Sequence, residues 1–213
     1  MIQHVLFDFD GTLADSKEMA LAILNRLAEK HAFRKIAPED IEALRRLSIV
    51  ERCRWLGVPL YKIPLLSIEA RGLYKSALPQ LQPFPGIREL LAALGQRGYG
   101  LSVLSSNSEG NIRAFLHRNG IEAIRTVVGS SALFGKDAAI KRFLKTHRLG
   151  SSQVIYVGDE ERDVTACRKC AIPVIWVGWG YDAPEAVRPA QPDYTVQAPA
   201  EILSILPSAG HDL

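Results

Sequence analysis

The first strand-like segment of this chain stands apart from the others. Residues 5–9 (VLFDF) read as a short buried strand running into an acidic turn, Asp8-Phe9-Asp10-Gly11-Thr12, and the next segment of strand character is Gly100–Ser105. Between them the chain is helical in character. No glycine occurs between Gly11 and Gly57, and the stretch is rich in Leu, Ala, Glu, Lys and Arg, which favour helix. Met19, Ala22, Ile23 and Leu27 recur at steps of three and four, as the apolar stripe of an amphipathic helix requires. A second helix is expected from Pro38, with Glu39 and Asp40 favourable in its first turn. A third covers Ile49–Leu56 and stops at Gly57, and a fourth covers residues 65–78. Residues 16–82 therefore read as an all-helical unit inserted after strand one.

Pro83, Pro85 and Gly86 then mark a linker. Beyond it, helical segments (87–97, 110–119, 137–147, 164–170) alternate with strands at Gly100–Ser105, 125–128, 153–157 and Val174–Val177. With the first strand, this alternation predicts an α/β fold: a doubly wound, parallel, five-stranded, Rossmann-like sheet. Apolar runs such as VIYV and VIWV suit strands buried on both faces. The expected division is a core domain of residues 1–15 and 83–213 and a helical domain of residues 16–82. The tail, with five prolines between Pro184 and Pro207, reads as loop followed by a short helix over 200–206.

Length and composition narrow the function. At 213 residues, with 47% hydrophobic and 23% charged residues, the chain is of ordinary globular character. No uncharged stretch exceeds 12 residues (170–181), against the roughly 20 of a membrane-spanning helix. The N-terminus lacks the features of a signal peptide, and three cysteines make no disulfide framework, so a cytoplasmic protein is expected, with no membrane partner. A net charge of +3 makes no case for nucleic acid. Its distribution is uneven: residues 16–82 hold 12 basic and 7 acidic residues, a local +5, against a net −2 elsewhere. A basic lid over an acidic, metal-binding body would suit an anionic substrate.

The polar residues fall at the carboxyl ends of the expected strands, where open α/β sheets bind ligands. Asp8 and Asp10 close strand one, and their two-residue spacing points them to one side while strand geometry lasts. Neighbouring carboxylates in an apolar run call for a neutralising cation, and a hard one such as Mg²⁺ takes oxygen ligands. Strand two ends in Ser105, Ser106 and Asn107, suited to a phosphate or to a helix cap. Lys136 precedes the helix after strand three and would stabilise a transferring phosphoryl group. Strand four ends in Gly158-Asp159-Glu160-Glu161-Arg162-Asp163, and a helix starting near Glu160 sets Asp159 and Asp163 one turn apart on one face. Together they form one site of carboxylates, a hydroxyl and a lysine, with an aspartate left over to act as nucleophile.

DFDGT, LSSN, the downstream Lys136 and GDEERD, in this order over residues 4–180, resemble the motif set of the haloacid dehalogenase-like hydrolase superfamily, in its phosphoglycolate phosphatase-like branch. The inserted helical unit looks like that family's cap. The resemblance implies a Mg²⁺-dependent phosphomonoesterase acting on a small phosphorylated metabolite, with Asp8 as nucleophile and Asp10 as general acid and base. It implies that Ser106 and Lys136 bind the phosphoryl group, and that Gly11, Thr12 and Asn107 line the substrate pocket. Mg²⁺ would be held by the Asp8 carboxylate, the Asp10 backbone carbonyl and Asp159, with Asp163 supporting Asp159 or binding through water. Ser105 is the alternative hydroxyl. The family's dehalogenases lack an acid where Asp10 stands, so its presence favours phosphate chemistry. A phosphomutase and a catalytically quiet binding module are the alternative functions, and the chain is expected to be a monomer or a homodimer. Arg45, Arg46, Arg52 and Arg54 read as solvated helix charges, Cys167 and Cys170 as ordinary helix positions, and Trp176 as core.

Overall fold

The computed structural model describes residues 1–129 and 135–207. The ends of the expected core segment (208–213) and the short stretch 130–134 lie outside the described residues. Strand β1 (His4–Phe7) is followed by helices α1 (Lys17–His31), α2 (Ile41–Arg45), α3 (Ile49–Leu56) and α4 (Ile63–Ala77). The remaining order is α5 (Ile87–Gln96), β2 (Gly100–Ser105), α6 (Glu109–Arg118), β3 (Thr126–Gly129), α7 (Lys136–His147), β4 (Val154–Gly158), α8 (Glu161–Lys169) and β5 (Val174–Val177). Short elements α9 (Pro184–Val187), β6 (Tyr194–Val196) and α10 (Ile202–Ile205) complete the described chain.

The strands form one parallel sheet in the order β3-β2-β1-β4-β5-β6. β1 lies at its centre, with Phe7 opposite Val103 of β2 and Val157 of β4. The chain winds outward from β1 through β2 to β3 and then returns to the other side, so β1 and β4 flank the switch point where such sheets bind ligands. Side-chain alternation builds two cores. Val5, Phe7, Val103 and Val157 pack with α5, α6 and α10, whereas Leu6, Leu104, Tyr156 and Trp176 pack with α7, α8 and α9. Helices thus cover both faces of the sheet, as a doubly wound fold requires.

The sheet has one strand more than the five expected. β6 is a parallel edge strand, with Thr195 opposite Trp176 of β5. Only Val196 of its three residues is buried, so neither apolar periodicity nor length marked it, and it is held by backbone pairing at the rim. In the helical segment, α3 is closed at both ends. Ser48 and Glu51 form a reciprocal capping box at its start, and Gly57 adopts a left-handed φ of 73° at its end. No helix among the described residues is long and apolar enough to cross a membrane.

Candidate active site

The site begins where β1 stops. The Asp8 N–H still donates to the Val157 carbonyl (2.8 Å), which fixes Asp8 at the carboxyl edge of the sheet beside β4. Phe9 then dives into the core against Phe115, with ring centres 5.0 Å apart, and its carbonyl accepts from the N–H groups of Leu13 and Ala14 at 2.9 Å. That tight loop needs Gly11 at φ 79°. A Cβ at Gly11 would also come within 2.3 Å of Asp159 Oδ2, so the glycine admits the second acid to the site.

Asp8 is buried and fully partnered. Its Oδ1 accepts from the Phe9 N–H (2.7 Å) and its Oδ2 from Lys136 Nζ (2.7 Å). Lys136 opens α7 and pairs with Asp163 as well, with only 7% of its side chain exposed. Asp163 lies in the first turn of α8, where Oδ2 also caps the Glu160 N–H (3.2 Å). Asp159, directly after β4, accepts from the Thr12 hydroxyl and from the Tyr181 N–H, both at 2.7 Å. One carboxylate oxygen from each of Asp8, Asp159 and Asp163 falls within 4.8 Å of the others.

The electrostatics of this cluster are unequal. Burial raises the Asp8 pKa, but Lys136, Arg162 and the hydrogen bonds to the carboxylate outweigh it and hold the group below the usual carboxylate range. Asp159 accepts from two neutral donors, the Thr12 hydroxyl and the Tyr181 N–H. Burial, then the Glu160, Asp163 and Asp8 carboxylates, push it well above its ordinary value. Lys136 is held protonated, because Asp163 and Asp8 overcome the desolvation that opposes its charge. Lys136 thus serves two of the three buried carboxylates and not Asp159, and a divalent cation is the complement that the oxygen-only donor set of the three fits.

Asp10 reaches a different set of partners. The regular strand ends at Phe7, so the alternation that would have kept Asp8 and Asp10 on one side is lost. The Asp10 carboxylate accepts from the Tyr74 hydroxyl (2.7 Å) at Oδ1 and from Asn107 Nδ2 (2.8 Å) at Oδ2. Asn107 is itself locked, its Oδ1 accepting from the Ser108 N–H (2.8 Å) and from Asn111 Nδ2 (3.1 Å). Burial raises the Asp10 pKa against the pull of the Tyr74, Asn107 and Ser16 hydrogen bonds. The Asp10 carboxylate is absent from the three-carboxylate cluster.

Position separates the roles of the serines at and after the end of β2 and those of Gly11 and Thr12. Ser105 is buried at the end of β2 and its Oγ accepts from the Asn107 N–H (3.3 Å). The α6 cap is Ser108, whose Oγ accepts from the Asn111 N–H (3.2 Å). Ser106, half-buried between them, lines the cavity beside Asp10 and has no hydrogen-bond partner among the described residues. The Thr12 hydroxyl is taken up by Asp159, and Gly11 serves the turn and the approach of Asp159.

A cavity of about 530 Å³ opens from this end of the sheet into the helical segment. Asp10, Ser106, Asn107, Glu160 and Arg162 form its floor, and mostly apolar side chains of α1–α4 form its walls. Two arginines expected to be solvated instead tie α2 and α3 to the loop after β5. Arg45 Nε donates to the Tyr181 carbonyl (3.1 Å), and Arg52 pairs with buried Asp182, which also accepts from the Glu161 N–H (2.7 Å). Arg46 and Arg54 stay exposed. Trp176 is core as expected, and its indole N–H donates to the Asp159 carbonyl (2.8 Å). Sequence reasoning missed Tyr74, which carries no signal beyond its place in the expected helix over 65–78; its hydroxyl is what brings it to the site.

A family model described as haloacid dehalogenase-like hydrolase matches residues 5–177. A phosphoglycolate phosphatase of Synechococcus elongatus is 34% identical over 203 residues, covering 95% of this chain and 96% of its own length. A 5'-nucleotidase of Pseudomonas aeruginosa is 27% identical over 221 residues, covering 96% of each chain. The solved structure of a haloacid dehalogenase-like family hydrolase from Streptococcus pneumoniae superposes with a TM-score of 0.82 at 23% identity, covering 97% of this chain and 99% of the other. That last likeness is one of fold.

Proposed function

The chain belongs to the haloacid dehalogenase-like hydrolase family, and from that premise we propose that it hydrolyses a small phosphate monoester through a covalent phosphoryl group on Asp8. Phosphoglycolate is the proposed substrate, on the strength of the Synechococcus relative. The observation that carries the mechanism is the division between two aspartates two residues apart. Asp8 is buried against Lys136 with a lowered pKa, and Asp10 stands at the cavity floor with a raised one. One is kept ionised, as a nucleophile must be. The other is biased toward holding a proton, as a general acid must.

In the first step a carboxylate oxygen of Asp8 bonds to phosphorus as the ester P–O bond breaks. Asp10 delivers its proton to the departing alkoxide. In the second step Asp10, now ionised, takes a proton from water as the water oxygen attacks the phosphoryl group. The P–O bond to Asp8 breaks, inorganic phosphate leaves, and Asp10 is protonated again. Ser106 and the Asn107 region hold phosphoryl oxygens, and Lys136 sets the Asp8 carboxylate. Tyr74 and Asn107 keep the Asp10 carboxyl in one orientation while it exchanges its proton. Asp8 and Asp159 would hold Mg²⁺, with Asp163 close enough to support it. Bound there, Mg²⁺ supplies positive charge that eases the approach of a phosphate dianion to a carboxylate. Residues 16–82 act as the cap that keeps bulk water from the floor of the cavity.

Asp10→Asn tests the division of labour. The amide can neither give nor take the proton, so both steps slow, and steady-state turnover falls by about 10²–10⁴-fold. In kcat/KM, which reports the first step alone, the loss is smaller with p-nitrophenyl phosphate, whose leaving group needs no proton, than with an alkyl phosphate. Equal losses on the two substrates would contradict the acid role of Asp10.

A further inference from the structure

We infer that Arg71 is a specificity-determining residue that binds a second anionic group on the substrate, so that the preferred esters are those of short hydroxy acids. The inference rests on the phosphomonoesterase reading above. Six cationic side chains line the cavity: Lys17, Arg34, Arg45, Arg52, Arg71 and Arg162. Five of them are engaged. Lys17 donates to the Trp179 carbonyl (3.0 Å), Arg34 lies over the Trp55 ring and 3.7 Å from Asp40, and Arg162 donates to Glu160 (2.7 Å). Arg45 and Arg52 anchor the loop after β5. Arg71 has no carboxylate within ion-pair distance and, unlike the other five, meets no group outside its own helix among the described residues. Its single hydrogen bond among the described residues is from Nε to the Ser67 carbonyl of its own helix (3.1 Å), which leaves both terminal nitrogens without a partner among those residues.

Its neighbours make that arginine unusual. Arg71 projects from the same side of α4 as Ile63, Leu66, Ala70 and Tyr74, which also line the cavity. It is half-buried, so its charge is only partly solvated. A guanidinium in an apolar wall, with its fork free, is suited to a planar carboxylate. Placement along the helix sets the size of the substrate. Tyr74 touches Asp10, the proposed proton donor to the leaving oxygen, and Arg71 is one turn away, roughly 5–6 Å between Cβ atoms. An ester oxygen beside Asp10 and an acid group one or two carbons further would meet Arg71. A nucleoside 5'-monophosphate, whose organic part carries no second anion, would leave it unpaired.

The test compares two substrates of one shape. Ethyl phosphate is phosphoglycolate with a methyl group in place of the carboxylate. Wild-type enzyme, Arg71→Ala and Arg71→Lys are assayed for phosphate release from both, and from p-nitrophenyl phosphate and a nucleoside 5'-monophosphate. The wild type is expected to favour phosphoglycolate over ethyl phosphate in kcat/KM by about 10²-fold, the scale of a desolvated charge-assisted pair. Arg71→Ala collapses that ratio toward one, chiefly through KM, and Arg71→Lys recovers part of it. A ratio unchanged in Arg71→Ala, or losses of equal size on all substrates, overturns the inference. So does a wild type that hydrolyses ethyl phosphate or the nucleotide as well as phosphoglycolate, although the phosphatase reading then stands. No release from any ester overturns both.

Discussion

Asp8→Asn is expected to give a folded protein that has lost turnover by about 10⁵–10⁶-fold, the scale seen when a covalent nucleophile is removed. The fold is expected to survive because the amide oxygen still accepts the Phe9 N–H, and Lys136 keeps Asp163 as its partner. The side chain is of equal size in a site where only 2% of it is exposed. What is lost is the negative oxygen that bonds to phosphorus. The measurement is phosphate release beside a thermal melt of the same preparation. A variant that melts like the wild type and turns over within tenfold of it would remove Asp8 from the mechanism.

Lys136→Met is expected to damage stability and activity together, and with a particular dependence on pH. Methionine fills similar volume but leaves the Asp8 and Asp163 carboxylates, with 2% and 0% of their side chains exposed, without their shared cation. Breaking a buried pair by removing one partner costs about 3–5 kcal/mol, which for a chain of this size is roughly 10 °C in Tm. In the wild type Asp8 is held below its ordinary pKa, so it contributes stability above that ordinary value and loses it as pH falls. In the variant, burial is opposed only by Arg162 and the remaining hydrogen bonds, and both carboxyl pKa values rise. The penalty is then largest at high pH, where the groups are forced to ionise, and shrinks as they take up protons at lower pH. Urea unfolding at pH 8 and pH 5 is expected to show a larger loss at pH 8. Equal stability of variant and wild type at both values would mean that the pair does not hold this end of the sheet together. Phosphate release is expected to fall by about 10²–10³-fold at either pH.

Much of this architecture was readable from residue types because the two periods alternate so cleanly. Gly100–Ser105 and Val174–Val177 are apolar runs bounded by turn residues, and their bounds match the strands observed. The acids were legible for a related reason: Asp8 and Asp159 directly follow apolar strands, where a charge without purpose is expensive, and Asp163 falls one helical turn from Asp159. Other features left no such trace. β6 exposes two of its three residues, so its pattern is that of a loop. Tyr74 and Arg71 lie on a helix stripe whose spacing reports only that one face is turned inward, not that the face lines a cavity. Arg45 and Arg52 sit among exposed charges on short helices, and only tertiary structure reveals the Tyr181 carbonyl and Asp182 carboxylate they meet. The divergence of Asp8 and Asp10 followed from a strand that stops one residue before the first of them.

The uneven charge distribution takes on a more specific meaning in this light. Of the cap-segment cations along the cavity, most are held by acids or carbonyls that position the helices. Arg71 on the wall meets only a carbonyl of its own helix among the described residues, so the attraction that remains for an anion is concentrated there. A substrate with two anionic ends would set one at the cavity floor beside Asp10 and Ser106 and the other at Arg71.

The most direct measurement is phosphate release from phosphoglycolate by the wild-type protein, with Mg²⁺ and with EDTA, beside ethyl phosphate and p-nitrophenyl phosphate. The account predicts release that requires Mg²⁺, stops in EDTA, returns when Mg²⁺ is restored in excess, and is fastest with phosphoglycolate. Release that is unchanged by EDTA, or no release from any of the three esters, would contradict it.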